Sequence, residues 1–317
     1  MRVLITGAAG NLGSHLAKYL MKDDECPELR LMIHNSPLPY SIDSFKNVEV
    51  VKADLMVPDT LTETFKDVDC IVHFAGMLFA PNPEKFLPVT NIVYFKNLVD
   101  AALDTKVKKI ILISFPHVEG NTNPSKPANG RLDRRPVSVH AQTRLKEEQY
   151  LFEKCKKTNT IPVSLRPGMI YGKNILMLDA GKHLMKKHLL AVWKKPTWIH
   201  LISIDDFLKA VKQAIIKNAV HGIYQLGDEK PLYLQEFLDM MAKHLGYSKP
   251  WRLPVWCILL AARIVEIYAK IFRTKSPLTK DFIRIGMVSY TGDTARMKED
   301  LLPELEYPTI DEGISTL

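Results

Sequence analysis

The decapeptide VSVHAQTRLK, residues 137–146, sets His140 and Arg144 four positions apart, on one face of the segment if it is helical. An imidazole titrates near neutrality, and a guanidinium one turn away drives the ring toward its neutral form. Such a pair can move a proton at the ring and hold a hydroxylated or anionic ligand at the cation. It is equally at home on a solvated helix face, with Arg144 paired to Glu148 one turn later. Spacing alone leaves both readings open, and the elements around the pair must decide between them.

A second group opens the chain. In LITGAAGNLGSHLAKYL, residues 4–20, Gly7, Gly10 and Gly13 lie between an apolar strand and an amphipathic helix predicted over 11–22. Gly7 permits a tight turn, Gly10 lets backbone approach a diphosphate, and Gly13 lets the helix pack on the strand. The amides at the helix start would hold the anion. The elements that position both groups follow from hydrophobic patterning. RVLIT, LRLMIH, VEVVKA, DCIVHFA, KKIILIS and IPVSLRP are apolar runs separated by helical periods, including a long helix through NIVYFKNLVDAAL and another over 140–156. Strands apolar on both faces that alternate with helices predict an α/β fold, a doubly wound parallel sheet. Past Tyr171 the pattern loosens into the strand WIHLIS and mostly helical segments. The expected partition is therefore a dinucleotide-binding domain over 1–175 with about 199–221, and a smaller lobe over 176–198 and 222–317.

Composition bounds the partners. The 317 residues are 46% hydrophobic and 25% charged, with a net charge of +8. The basic residues are dispersed among acidic ones, so a nucleic-acid partner is not expected. The densest run, KHLMKKHLLAVWKK over 182–195, could draw an anionic substrate or a membrane surface, a solvated helix face being the plainer reading. Cys26, Cys70, Cys155 and Cys257 show no metal-ligand spacing, so neither a metal site nor a disulfide framework is expected. The start of the chain has no secretory signal pattern, and a cytoplasmic location is expected. VWCILLAARIVEIYAKIF, residues 255–272, approaches membrane-spanning length. Arg263, Glu266 and Lys270 draw a polar stripe along it, so it reads as a buried or interface helix rather than a transmembrane segment, with membrane-surface contact the less favoured alternative.

TGAAGNLG over 6–13 resembles the TGxxGxxG fingerprint of the extended short-chain dehydrogenase/reductases, the NAD-dependent epimerase/dehydratase group. Further pieces match in order: ADL at 53–55, VHFAG at 72–76, Asn91, RPGMIYG at 166–172 and ISIDD at 202–206. The resemblance spans essentially the whole chain and implies a Rossmann domain with a mostly helical substrate lobe. It also implies that Gly7, Gly10, Asn11, Leu12 and Gly13 hold the diphosphate. Asp54 and Leu55 would meet adenine, Phe74, Ala75 and Gly76 the ribose and diphosphate, and Asn91, Ser114, Pro167, Gly168 and Met169 the rest of the cofactor.

The departures from the family pattern concern chemistry. The tyrosine and lysine of the YxxxK motif fall on His140 and Arg144, and Phe115 replaces the hydroxyl residue that polarises the substrate, with Ser114 one position away. His117 is a weaker acid/base candidate. His34 stands where NAD-preferring members carry an aspartate; with Asn35 and Ser36 it could donate to a 2′-phosphate, so NADP is expected ahead of NAD. Met169 replaces an asparagine usual in nucleotide-sugar enzymes, and the arginine expected before WIHLIS is missing, which points to a less polar small-molecule substrate or ligand. Two functions follow: an oxidoreductase or epimerase/dehydratase acting on a hydroxyl or carbonyl compound, with His140, Arg144 and Ser114 at the reaction, or a catalytically inactive NADP-binding sensor or scaffold. By analogy, a homodimer through helices over 84–105 and 140–156 is expected.

Overall fold

Seven parallel strands form the central sheet. Six are β1 (Arg2–Thr6), β2 (Glu28–Ile33), β3 (Val48–Lys52), β4 (Cys70–His73), β5 (Lys109–Ile113) and β6 (Ile161–Pro167), and an outer strand, Gly222–Leu226, pairs with β6. Their order, β3-β2-β1-β4-β5-β6 and then Gly222–Leu226, reverses direction between β1 and β4. Doubly wound sheets leave a crevice for ligands outside the strand ends at that switch point. The computed structural model describes residues 1–23, 27–76, 82–271 and 279–317, without the side chains of 268–271. Cys26 and Phe272 lie outside the described residues, as does the Lys270 side chain.

Both faces of the strands are apolar, as a doubly covered sheet requires. Val3 and Ile5 of β1 join Ile111, Val163 and Leu165 on one face, under α1 (Asn11–Met21) and α7 (Ile204–Ile216). Leu4 joins Ile71, Ile110 and Leu112 on the other, under α2 (Asp59–Phe65) and α4 (Tyr94–Asp104). Between α3 (Pro83–Leu87) and α4 the chain widens into one π turn, Pro88–Val93, so Asn91 sits in that turn rather than in a regular long helix. Such turns break the regular ladder and re-aim side chains. α5 (Val139–Cys155) starts at Ser138, whose hydroxyl accepts from the Ala141 amide.

Three segments differ from the sequence pattern. Gly222–Leu226, expected in the smaller lobe, belongs to the main sheet because it pairs with β6 in parallel register. WIHLIS splits in two. Trp198–Ile199 pairs antiparallel with Leu232–Tyr233, and Leu201–Ser203 pairs parallel with Met169–Tyr171. His200 between them turns inward, where the Gly292 amide donates to Nδ1 and Nε2–H donates to the Asp228 carbonyl. The smaller lobe holds α6 (Leu176–Lys186), α8 (Leu234–His244), α9 (Val255–Ile271) and α10 (Lys280–Gly286). α9 buries one face, with Ile258 and Ala262 against Val192, Trp193 and Ile283, but it is not a buried helix: Trp256, Leu260, Ile264 and Ile267 are exposed. Of the expected polar stripe, Arg263 is exposed while Glu266 turns inward to accept the Lys280 amide. No helix among the described residues is long and apolar enough to cross a membrane.

Candidate functional site

β1 delivers Thr6 to the switch-point crevice, and the chain turns at Gly7 with φ +69°. A Cβ there would stand 3.0 Å from the Ala75 nitrogen, so the close approach to the end of β4 depends on glycine. At Gly13 a Cβ would lie 2.3 Å from the Gly7 carbonyl oxygen, which lets α1 start flush against the turn. Gly10 caps α1 without any side-chain bond. The amides of Asn11, Leu12 and Gly13 in the first helical turn therefore lack intrahelical acceptors, and together with the helix dipole they favour an anion. Gly10, Asn11 and Gly76 are exposed along the crevice, and Leu12, Phe74, Ala75 and Met169 are half-buried.

His73, which lies in the VHFAG run but has no role assigned there, and Tyr40, which no motif includes, brace this turn. Thr6 Oγ1 is 2.8 Å from His73 Nδ1 and also accepts from the Ala75 amide. Burial first, and then the Arg144 charge, lower the His73 pKa to about 3, so its ring is neutral. Tyr40 donates to the Ala8 carbonyl from across the turn, its hydroxyl pushed up to about 12 by burial. Their partners lie tens of residues away, which leaves no local signal in the sequence. The Asn11 side chain is committed elsewhere: Nδ2 donates to the Asn174 carbonyl at 2.7 Å and Oδ1 accepts the Leu176 amide, tying α6 to the mouth of the crevice.

At the β2 and β3 ends, His34, Asn35 and Ser36 are exposed. His34 Nε2 lies 3.4 Å from Asp54 Oδ2, while Asp54 Oδ1 accepts the Met56 amide. Leu55 is buried and its carbonyl accepts from Asn97. Pro167 and Gly168 are buried too. The amides of Gly168 and Met169 donate to the Leu226 and His200 carbonyls, and the half-buried Met169 side chain packs against the core.

At the β4, β5 and α5 ends the structure brings the reaction candidates together. Phe115 packs edge-on to His140 with ring centres 4.6 Å apart, and its other neighbour is His117 at 5.0 Å. His117 Nε2 donates to the Val288 carbonyl at 3.0 Å, which fixes its tautomer and leaves Nδ1 a bare acceptor. That Nδ1, His140 Nδ1 and Ser114 Oγ are all buried without hydrogen-bond partners. Burial, then Arg144 and then His117, take the His140 pKa down to about 3; burial takes His117 to about 4. Both rings are neutral at pH 7. The His140 turn is braced by Thr143, which donates to the His140 carbonyl and accepts from Asn91 at 3.0 Å.

Arg144 is almost fully buried. It pairs not with Glu148 but with Glu147, Nη1 to Oε2 at 2.9 Å, and its other terminal nitrogen packs against Gly76, where a Cβ would stand only 2.2 Å away. Glu147 was not singled out in the sequence. Its carboxyl is pushed up to about 7 by burial, against the opposing pull of Arg144, and its second oxygen has no partner. Glu148 is occupied by Arg166, whose Nε donates to it at 2.9 Å; Arg166 also reaches Glu119, and all three are buried. Glu119 accepts the Gly130 and Arg131 amides, so one buried ion network fixes β6, α5 and the loop beside His117. Among the described residues, no group of three His, Cys, Asp or Glu side chains is placed to hold a metal ion.

The NAD dependent epimerase/dehydratase family model matches residues 3–227. An uncharacterised protein of Methanocaldococcus jannaschii is 27% identical over 275 residues, covering 77% of this chain and 81% of its own. The 3 beta-hydroxysteroid dehydrogenase/Delta 5→4-isomerase of monkeypox virus is 22% identical over 326 aligned positions, covering 93% and 92%. Among solved structures, the dTDP-glucose 4,6-dehydratase of Streptomyces venezuelae with NAD and TYD bound is similar with a TM-score of 0.78 at 17% identity, covering 100% of this chain and 95% of that one. The UDP-glucuronic acid 4-epimerase of Bacillus cereus, in complex with UDP-glucuronic acid and NAD, has a TM-score of 0.75 at 19% identity and covers 100% and 97%. At these identities the structural likeness speaks for the fold. With the glycine turn, the strand order and a family match over most of its length, the chain belongs to the NAD dependent epimerase/dehydratase family.

Proposed function

We propose that this chain is an NAD(P)-dependent oxidoreductase of the epimerase/dehydratase type whose departed triad places His140 and Arg144 at the tyrosine and lysine stations. The observation that carries the reading is the set of buried polar atoms without protein partners around Phe115: Ser114 Oγ, His117 Nδ1 and His140 Nδ1. Buried polar groups are normally satisfied, so three orphans in one neighbourhood mark a place for a ligand's oxygen. His117 Nδ1 can only accept, which suits a substrate hydroxyl. The neutral His140 ring can donate an N–H to a carbonyl oxygen and polarise it without a formal charge. With a pKa near 3, His140 serves better as that donor than as a base. Ser114 supplies a hydroxyl in place of the one lost at Phe115.

The nucleotide would lie along Gly7–Gly13 and Phe74–Gly76, with Arg144 beside Gly76 as the cation near its ribose, and it would supply hydride transfer. The lack of a carboxylate at His34 supports NADP. Asp54, 3.4 Å from the His34 ring, opposes an added phosphate, so the margin over NAD is small. The Phe115 ring and the half-buried Met169 side chain support a substrate of low polarity. On α3 and the π turn, Phe86, Val89 and Val93 are exposed, which supports the expected homodimer across that edge.

The test is a panel of aldehydes, ketones and alcohols followed by nicotinamide absorbance, with wild type, His140→Ala and His117→Ala. Turnover lost in both variants upholds the proposal. A second reading, an NADP-binding sensor or scaffold without turnover, is favoured by the clasp of Arg144 on Glu147; binding without turnover across the panel would select it.

A further inference from the structure

We infer that the outer face of α9 is a docking surface for an anionic lipid bilayer, on which the protein lies without crossing it. Trp256, Leu260, Ile264 and Ile267 recur at spacings of three and four and fall on one face of the helix, each at least half exposed, Trp256 at 67%. Their neighbours on the opposite face are packed into the lobe, so the helix is apolar on both sides: one side is satisfied by protein, the other faces water. Contiguous apolar surface of this kind on a chain of ordinary composition marks an interaction site. Two further large side chains extend it from the strand and loop that adjoin the helix start, Trp251 at 62% and Leu189 at 65% exposed. The Trp251 indole donates to the His188 carbonyl, holding the two segments together.

Charge decides between a membrane and a second copy. The strand Ala191–Trp193 pairs with Trp251–Leu253 just before α9, and the Lys194 amide donates to the Leu253 carbonyl, so the basic run 182–195 flanks the apolar face. Lys186, Lys187, Lys194 and Lys195 are exposed and have no acidic partner among the described residues; neither has Arg263, which projects from the apolar face itself. A two-fold dimer through this face would bring these cations against their own copies in a desolvated contact. An anionic headgroup layer neutralises them while the indoles and aliphatic chains enter the interface, the pattern of helices that lie in the membrane plane. Because the inward face of α9 stays in the protein core, the helix cannot span.

The test uses the full chain with vesicles of phosphatidylcholine, alone or with phosphatidylglycerol added. The protein should pellet with the mixed vesicles at low salt, be released by high salt, and bind neutral vesicles weakly. Lys194→Glu with Lys195→Glu should weaken binding by about 30-fold or more, from the contribution of each cation near a charged surface. Trp256→Ser with Leu260→Ser should abolish it; all four positions are exposed, so circular dichroism and dinucleotide binding should match wild type in both variants. Absence of pelleting with either vesicle at low salt overturns the inference. So does a dimer in ultracentrifugation that Trp256→Ser with Leu260→Ser dissolves while vesicle binding is nil. The readout is independent of turnover, so it stands or falls apart from the proposed activity.

Discussion

Replacing Glu147 with glutamine probes the most perturbed acid beside the reaction candidates. Burial raises its carboxyl from 4.5 to about 7 even with Arg144 2.9 Å away. An acid with a raised folded pKa keeps a proton in the native state that the unfolded chain has released. The resulting stabilisation is complete below about 4.5 and is lost as pH rises through about 7. The interval corresponds to ~3 kcal/mol at 1.36 kcal/mol per pKa unit, with no discount for screening because the group is fully buried. Glutamine does not titrate and resembles the protonated acid in shape. Urea unfolding of both proteins at several pH values between 4 and 8.5 should therefore show near-equal stabilities at the acid end. Toward the alkaline end the difference should drift by ~3 kcal/mol in favour of the variant. Taking the difference cancels every other titrating group. Parallel curves would refute the reasoning, because they would mean that the carboxyl stays ionised throughout and that pairing with Arg144 outweighs burial.

Three further outcomes are expected. Gly13→Ala drives a Cβ into the Gly7 carbonyl and should cost about 1–3 kcal/mol in thermal or urea unfolding, with dinucleotide affinity falling at least about tenfold. Arg166→Met strips Glu119 and Glu148 of their buried cation and should destabilise by about 3–5 kcal/mol, read as a lowered melting temperature and loss of soluble protein. His140 has a folded pKa of about 3, so its contribution is full above about 6.5 and is lost as pH falls toward 3. His140→Gln should accordingly reduce the stability lost between pH 7 and pH 5 by ~2 kcal/mol, checked by urea midpoints at the two values.

Local physics made much of this legible in the chain itself. The parallel sheet followed from strands apolar on both faces, and the tight turn into α1 followed from its glycines, with a positive φ at Gly7 and close packing at Gly13. The pairing of His140 with Arg144 on one helix face was equally visible in their spacing. What surrounds them was not. Glu147 and Glu148 lie three and four positions from Arg144, and either can reach it. The choice is made by Arg166, which arrives from β6 and takes Glu148. His73 and Tyr40 act through partners 67 and 32 positions away, beyond any local motif. WIHLIS reads as one strand because its pattern is apolar; the inward turn at His200 depends on Asp228 and Gly292, which no window around it contains. On α9, periodicity revealed amphipathicity but not which apolar face would find a partner inside the lobe.

Calorimetric titration of the folded wild-type chain with NAD and NADP, each oxidised and reduced, tests the account at its root. The open glycine turn and the bare amides of α1 call for saturable binding of at least one of the four, with one site per chain and a dissociation constant in the micromolar range. Absence of heat with all four, for protein whose circular dichroism shows it folded, would contradict the account.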